Sequence, residues 1–132
     1  MSFLIKPREA LTVIPRVLIL KSPPLVKTMR CMFWNVRGLG TAHRRGLVLK
    51  HVIQENLDIV GIQETIKQEF SDQELKDMSG TVDFVWKWIP AKGHSGGLLL
   101  GVKLESFEIE QVELAGYFLG CLVRNRLTNF RF

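Results

Sequence analysis

The sequence has few cysteines and no long apolar run. Its 132 residues include two cysteines, Cys31 and Cys121, which stand far apart and form no Cys-x-x-Cys pair. This excludes a disulfide framework and a paired-thiolate metal site, and both cysteines lie in apolar runs typical of buried, reduced thiols. Because no stretch of about 18 consecutive apolar residues occurs, we expect no helix that spans a membrane.

Acidic residues are scarce at the start of the chain. Residues 1–30 contain six basic residues, one acid and four prolines. The prolines would interrupt a long amphipathic helix, and charged residues would interrupt the apolar core of a secretory signal. We therefore predict an irregular basic extension over residues 1–29, followed by one domain over residues 30–132. A faint similarity to an organelle transit peptide leaves a nuclear, cytoplasmic or organellar location open.

The overall composition indicates a globular protein with one core. Hydrophobic residues make up 46% and charged residues 23% of the chain, a balance unlike that of disordered proteins. The formal net charge is +5, and the sequence pI is about 9.5. A basic surplus suits a nucleic acid or another anionic partner, although many soluble domains are mildly basic.

From residue 31 the pattern predicts a strand, a helix and a second strand. Residues 31–36 and 57–62 are short apolar runs typical of buried strands, and residues 42–56 repeat apolar positions at helical spacing. Thr41 is suited to cap the start of this helix. A strand–helix–strand unit of this size predicts two parallel strands joined by a crossover.

The remainder of the chain predicts one short helix and several strands. Ser71 and Glu74 form a capping-box pattern at the start of a helix over residues 71–79, which Gly80 ends. The predicted strands that follow are 83–89, 97–102, 106–113 and 117–124, with a turn at Ala115-Gly116. One parallel unit followed by consecutive strands indicates an α/β fold with a mixed sheet.

Two polar residues stand at the ends of the first two predicted strands. Asn35 lies in an apolar strand, so it is either a core amide bonded to backbone or a ligand-binding group. Glu64 follows the strand that Asp58 begins, at the end where open α/β sheets bind ligands. Its carboxylate could hold a cation such as Mg²⁺, or it could cap a turn or face water. Asp58 should lie at the opposite end of the sheet.

The segment Gly93–Gly97 predicts a loop whose glycines allow a tight turn or the close approach of a ligand. His94 within it could bind phosphate or metal, or it could be an exposed loop histidine. A dinucleotide-binding loop after the first strand is disfavoured, because the third glycine of that fingerprint would fall at His43.

Three segments, in order, resemble the motifs of the endonuclease/exonuclease/phosphatase superfamily. WNVRGLG at residues 34–40 resembles its first motif, in the form common in the endonuclease domains of LINE-type retroelements, especially those of plants. DIVGIQET at residues 58–65 resembles the second motif, and GHSGGLLLGV at residues 93–102 resembles the small-residue strand that follows. The resemblance implies a DNase I-like, mixed-sheet α/β sandwich of which only the N-terminal half is present.

The resemblance also implies roles for single residues. Asn35 and Glu64 match the family's catalytic and metal-binding asparagine and glutamate, with Mg²⁺ or Mn²⁺ as the cofactor and DNA as the partner. Gln63, Arg37 and Ser95 are the corresponding substrate-binding candidates. The implied reaction is the metal-assisted hydrolysis of a phosphodiester bond, in which a basic residue activates water.

The later motifs of the family do not occur in this sequence. They supply the general base and most of the remaining metal and phosphate ligands, so we expect the chain alone to be inactive. One alternative is a nucleic-acid-binding module that uses Arg37, Arg44, Arg45 and Lys50, unless these are a solvated helix face. A phosphatase for small phosphoesters is another alternative. Half a sandwich would also expose apolar sheet surface and favour self-association.

Overall fold

The structure is a computed structural model that describes residues 3–5, 16–21, 28–115, 118–126 and 131. The described part forms two helices and eight strands. In chain order these are β1 (Phe3–Ile5), β2 (Arg16–Lys21), β3 (Thr28–Asn35), α1 (Ala42–Gln54), β4 (Ile59–Gln63), α2 (Asp72–Ser79), β5 (Phe84–Ile89), β6 (Leu98–Lys103), β7 (Phe107–Ala115) and β8 (Phe118–Asn125).

The strands form one five-stranded and one three-stranded sheet. The larger sheet has the order β2-β3-β4-β6-β5, and the smaller has the order β1-β8-β7. β3 and β4 are parallel, as the strand–helix–strand pattern predicts, whereas the other neighbours in the larger sheet are antiparallel. The predicted mixed sheet is therefore confirmed.

Both helices begin at the capping residues that the sequence predicts. The Thr41 hydroxyl accepts a hydrogen bond from the Arg44 backbone N–H at 3.2 Å, which satisfies one of the free donors at the start of α1. At α2, Ser71 and Glu74 exchange the two hydrogen bonds of a capping box, and Gly80 ends the helix. Helix α1 ends at Gln54, two residues before the predicted position.

Two hydrophobic cores lie on the two faces of the larger sheet, because successive side chains of a strand point to opposite faces. One core fills the space between the sheets and includes Cys31 and Ile59 with Phe107 and Val123 of the smaller sheet. The other core lies under the helices, where Val48, Val52 and Met78 pack on residues of β3, β4 and β6. The layers are thus helices, sheet and second sheet, as the predicted α/β sandwich requires.

The first strands differ from the expected irregular extension. β1 and β2 both lie within residues 1–29, where we predicted no regular structure. β2 pairs with β3 and β1 pairs with β8, so the described part of this segment belongs to the two sheets. How the rest of residues 1–29 relates to the domain stays a prediction. The predicted turn at Ala115-Gly116 includes Gly116, which lies outside the described residues.

The outward face of β7 and β8 is charged in the part that the structure describes. Arg124 pairs with Glu108 on the opposite strand, and Arg131 pairs with Glu110 at 2.8 Å. The exposed large hydrophobic side chains of the described residues are Ile19, Ile53 and Ile66, and none of these lies in the smaller sheet. Among the side chains that the structure describes, the smaller sheet thus has no exposed large hydrophobic residue, and self-association through an exposed sheet stays a prediction. No helix in the described ranges has the length and apolar character needed to cross a membrane.

Candidate active site

The carboxyl ends of β3 and β4 and the start of β6 meet at one end of the larger sheet, which we call the site end. Asn35 is paired in register with Gln63, and Gln63 is paired with Leu98. Parallel neighbours place their carboxyl ends together, and the antiparallel β6 brings its first residues to the same place. The three segments that the sequence singled out are therefore neighbours in space.

Asn35 has a buried side chain with an unsatisfied oxygen. Its side chain lies on the same face of β3 as Cys31, toward the second sheet, and only 3% of the residue is exposed. Its Oδ1 atom is buried and has no hydrogen-bond partner among the described residues. Leaving a buried acceptor unsatisfied costs about 1–3 kcal/mol. The structure therefore does not show Asn35 as a core amide whose oxygen is bonded to backbone. A ligand that bonded this oxygen would remove the cost of leaving it unsatisfied.

Glu64 is held in a strained backbone conformation directly after β4. Its φ is 53°, in the left-handed region that a non-glycine residue adopts at an energetic cost. The surrounding loop imposes this conformation, because the Glu64 carbonyl accepts a hydrogen bond from Gly38 N at 2.8 Å. The Glu64 side chain is half-buried, and its carboxylate makes no hydrogen bond or ion pair with the described residues. This leaves the carboxylate available to a ligand.

The loop before β6 completes the site end. Gly97 has a φ of 93°, and a Cβ atom at this position would lie 2.2 Å from the Thr65 hydroxyl oxygen. Only glycine fits where the backbone approaches Thr65 so closely. Hydrogen bonds from Thr65 N to Gly97 O (3.2 Å) and from Ile66 N to Gly96 O (2.9 Å) join this loop to the residues after Glu64.

The three substrate-binding candidates lie at the site end in different environments. Gln63 is buried between Asn35 and Leu98 in the sheet. Arg37 is exposed in the loop after β3, with a φ of 51°. Ser95 is exposed too, but its hydroxyl donates a hydrogen bond to the Lys92 carbonyl at 3.3 Å within its own turn. Of the three, Arg37 is the charged side chain best placed to meet a ligand from solvent.

Arg44 and Arg45 hold the loop after β3 in place, which the sequence did not indicate. Arg44 donates a hydrogen bond to the Val36 carbonyl. Arg45 donates to the Gly40 carbonyl at 3.0 Å and pairs with two acids of α2. Both arginines therefore have partners within the protein and do not form a purely solvated helix face, and their contact with nucleic acid stays a prediction. The pair follows a glycine-rich loop, which is the signal that could have suggested this role.

The site end offers two oxygen ligands to a cation. Among the described residues, no cluster of three or more His, Cys, Asp or Glu side chains could hold a metal ion. Glu64 supplies a carboxylate, and Asn35 supplies the unsatisfied amide oxygen, both of which suit Mg²⁺ or Mn²⁺. These residues fit a hard cation in part, and water or phosphate oxygens would have to complete its coordination.

Comparison with known proteins gives one family profile and a similar solved structure. The sequence profile described as the Endonuclease/Exonuclease/phosphatase family matches residues 32–129. No curated protein sequence matches the chain. Among solved structures, the chain is similar to the human Nocturnin catalytic domain with bound sulfate anion, with 16% identity and a TM-score of 0.60. This similarity covers 89% of the chain and 50% of that structure, so the chain spans about half the length of the solved relative.

Proposed function

The chain belongs to the endonuclease/exonuclease/phosphatase family, and we propose that it carries the first part of a metal-dependent phosphodiesterase site. The observation that carries this proposal is the juxtaposition of Asn35 and Glu64 at the site end. One offers a buried oxygen with no partner among the described residues, and the other offers an uncommitted carboxylate on a strained backbone. Strain and unsatisfied polar groups cluster where structure serves ligand binding.

Each residue of the proposed site has a chemical task. The Glu64 carboxylate would hold a divalent cation, and the Asn35 amide oxygen would be a second oxygen ligand for it. A divalent cation, when bound, stabilises the charge that develops on the phosphate oxygens. The exposed Arg37 would attract the phosphate backbone, and Gln63 and Ser95 are the other two substrate-binding candidates.

The proposed site contains no positioned general base in the described part of the chain. His51 packs edge-on against Trp34, with 5.9 Å between the ring centroids, so it belongs to the helix layer. His43 and His94 are exposed, and neither forms a hydrogen bond with the described residues. A base must lie within hydrogen-bond reach of the attacking water. We therefore propose that this chain alone binds a cation weakly and does not turn over phosphodiesters.

The cation site is tested by titrating the chain with Mn²⁺ and following free Mn²⁺ by electron paramagnetic resonance. We expect weak binding that Glu64→Gln removes and that Glu69→Gln leaves unchanged. Glu69 is the matched control, since it is an exposed carboxylate in the same loop. Binding that persists in Glu64→Gln would place the cation elsewhere. Mn²⁺-dependent nicking of plasmid DNA, abolished by Glu64→Ala, would refute the proposed inactivity.

DNA is the proposed substrate class, because the first motif resembles that of LINE-type retroelement endonucleases. The exposed Arg37 favours a second candidate function, a module that binds nucleic acid without cleaving it. The two arginine positions thus have different tasks, with Arg37 facing solvent and Arg45 facing the protein.

Binding of a duplex oligonucleotide at several salt concentrations tests both candidates. We expect Arg37→Ala to weaken binding more than Lys50→Ala, which removes an equal charge from exposed mid-helix surface. Binding should also fall steeply with added salt. Equal effects of the two substitutions would indicate unspecific attraction to a basic protein, and salt-independent binding would refute the nucleic-acid interface.

A further inference from the structure

One carboxylate near the site end pairs with two cationic side chains, one from helix α1 and one from the loop after β4. Lys67 lies three residues after Glu64, and its Nζ atom is 2.7 Å from Glu74 Oε2. Arg45 follows the loop that Asn35 begins, and its Nη1 atom is 3.4 Å from the same oxygen. We call these three residues the Glu74 clasp.

Arg45 and Lys67 of the clasp are also bonded to the backbone of the site loops, Arg45 through its side chain and Lys67 through its own carbonyl. Arg45 donates hydrogen bonds to the carbonyls of Leu39 and Gly40, at 3.4 and 3.0 Å, in the loop that follows Asn35. The Lys67 carbonyl accepts a hydrogen bond from Ala91 N at 2.9 Å, which connects the loop before β6 as well. The clasp therefore reaches all three loops of the site end.

The position of the Glu74 side chain is fixed by the start of helix α2. It is the acid of the capping box of α2, where its Oε1 atom accepts a hydrogen bond from Ser71 N at 3.0 Å. The hydrogen bond from Lys67 lowers the pKa of Glu74 to about 2, so its charge is present across the physiological range. The side chains of Arg45, Glu74 and Lys67 are 11, 22 and 20% exposed, so the clasp is mostly shielded from solvent.

From this geometry we infer that Glu74 is a positioning residue for the proposed cation site. It holds the loop that follows Asn35 and the loop that contains Glu64 in one relative position. This inference rests on the proposed function. Two direct hydrogen bonds between the same loops, Gly38 N to Glu64 O and Leu39 N to Thr65 O, both at 2.8 Å, depend on that position.

A purely structural role is the competing explanation, because the clasp also joins α1 to α2. The Arg45 Nε atom is 3.3 Å from Asp77 of α2. If the clasp serves only helix packing, its loss should loosen the whole domain or the helices. If it positions the loops, the loops should respond while the sheet does not.

Amide hydrogen exchange measured by NMR separates the two explanations. Glu74→Gln removes the charge but keeps an acceptor for Ser71 N. Asp72→Asn is the matched control, since Asp72 is an exposed acid in the same helical turn. We expect Glu74→Gln to speed exchange of the Gly38 and Leu39 amides about tenfold or more, with the amides of β4 and β6 unchanged. Asp72→Asn should leave all of these rates unchanged.

Three results would overturn the inference. In the first, the Gly38 and Leu39 amides exchange at the same rate in Glu74→Gln as in Asp72→Asn. In the second, exchange becomes faster for all amides, including those of β4 and β6. In the third, exchange of the loop amides becomes faster in Glu74→Gln while the Mn²⁺ affinity stays at the wild-type value. We expect Mn²⁺ affinity to fall several-fold in Glu74→Gln alone.

If the wild-type chain binds no Mn²⁺, the proposed function fails, and the inference that rests on it fails too. The exchange rates then report only whether Glu74 holds the loops.

A second variant covers the case in which Glu74→Gln does not fold. Lys67→Gln removes one arm of the clasp and leaves the capping box intact. We expect faster exchange of the Ala91 and Ile66 amides, which bond across the loops after β4 and before β6. Unchanged rates in this variant would refute the role of the clasp.

Discussion

The two ends of the five-stranded sheet differ in whether their buried polar residues have partners within the protein. At the end away from the site, Asp58 and Lys103 are both buried, with Lys103 Nζ 3.6 Å from Asp58 Oδ1. Lys103 Nζ also donates to Asn56 Oδ1 at 2.9 Å, and Arg30 N donates to Asp58 Oδ2 at 3.0 Å. At the site end, the Asn35 oxygen has no partner within the described chain and Glu64 is strained.

This difference separates polar residues that hold the fold from those available to a ligand. Asp58 and Glu64 flank the same strand, and both are acids in an apolar context. A satisfied buried network stabilises a unique structure, whereas unsatisfied groups cost stability and are kept where they serve binding. The contrast therefore supports the site end as the functional one. Substitutions at the two ends test whether this difference exists.

The largest effect is expected at the end away from the site. Asp58→Asn removes the charge that offsets the buried Lys103 ammonium, and we expect a loss of about 3 kcal/mol in the free energy of unfolding. The measurement is urea denaturation followed by circular dichroism. The double variant Asp58→Asn/Lys103→Met should recover part of this loss, because it leaves no uncompensated charge. A loss no greater than that of the exposed control Glu69→Gln would contradict the assigned role.

The next effect is expected in the loop before β6. Gly97→Ala should cost about 2–3 kcal/mol, because its Cβ would collide with the buried Thr65 side chain and because its φ is positive. Gly96→Ala is the matched control, since Gly96 also has a positive φ but has open space around it. It should cost about 1 kcal/mol. Equal losses in the urea midpoint would show that the contact with Thr65 adds nothing.

A smaller effect is expected at Asn35, despite its complete burial. Asn35→Leu replaces an unsatisfied buried amide by an apolar group of similar size, so we expect the free energy of unfolding to change by less than about 1 kcal/mol. Mn²⁺ binding should be lost in the same variant. A loss of stability as large as that of Asp58→Asn would mean that Asn35 holds the fold, and it would remove the contrast between the two ends.

Much of this arrangement could be predicted from the sequence, because it depends on local patterns. The capping box at Ser71 is set by residues three apart, and the pairing of Asn35 with the end of β4 follows from a strand–helix–strand unit. The position of Asp58 at the end away from the site follows from strand direction alone. Burial of Cys31, whose pKa is raised to about 12 by that burial and by the Asp58 carboxylate, agrees with its apolar surroundings.

The rest depends on contacts between distant parts of the chain. β1 pairs with β8, more than a hundred residues away, and the sequence of a short strand does not specify its partner. The positive φ of Glu64 is imposed by hydrogen bonds from the loop after β3. Arg45 reaches back to that loop and across to α2, so its role comes from tertiary structure and not from its position on the helix.

The smallest expected effect is the dependence of stability on pH through Glu74. Its pKa is lowered from the ordinary 4.5 to about 2, first by the hydrogen bond from Lys67. A carboxyl whose pKa is lower in the folded state stabilises the fold above its unfolded pKa, and this contribution is lost as the pH falls from about 5 toward 2. Because Glu74 is partly exposed, we expect this contribution to be only about 0.3 kcal/mol. Thermal unfolding across this range should show a smaller acid loss in Glu74→Gln than in Asp72→Asn. Identical pH profiles in the two variants would mean that the clasp contributes no charge-dependent stability to the site end.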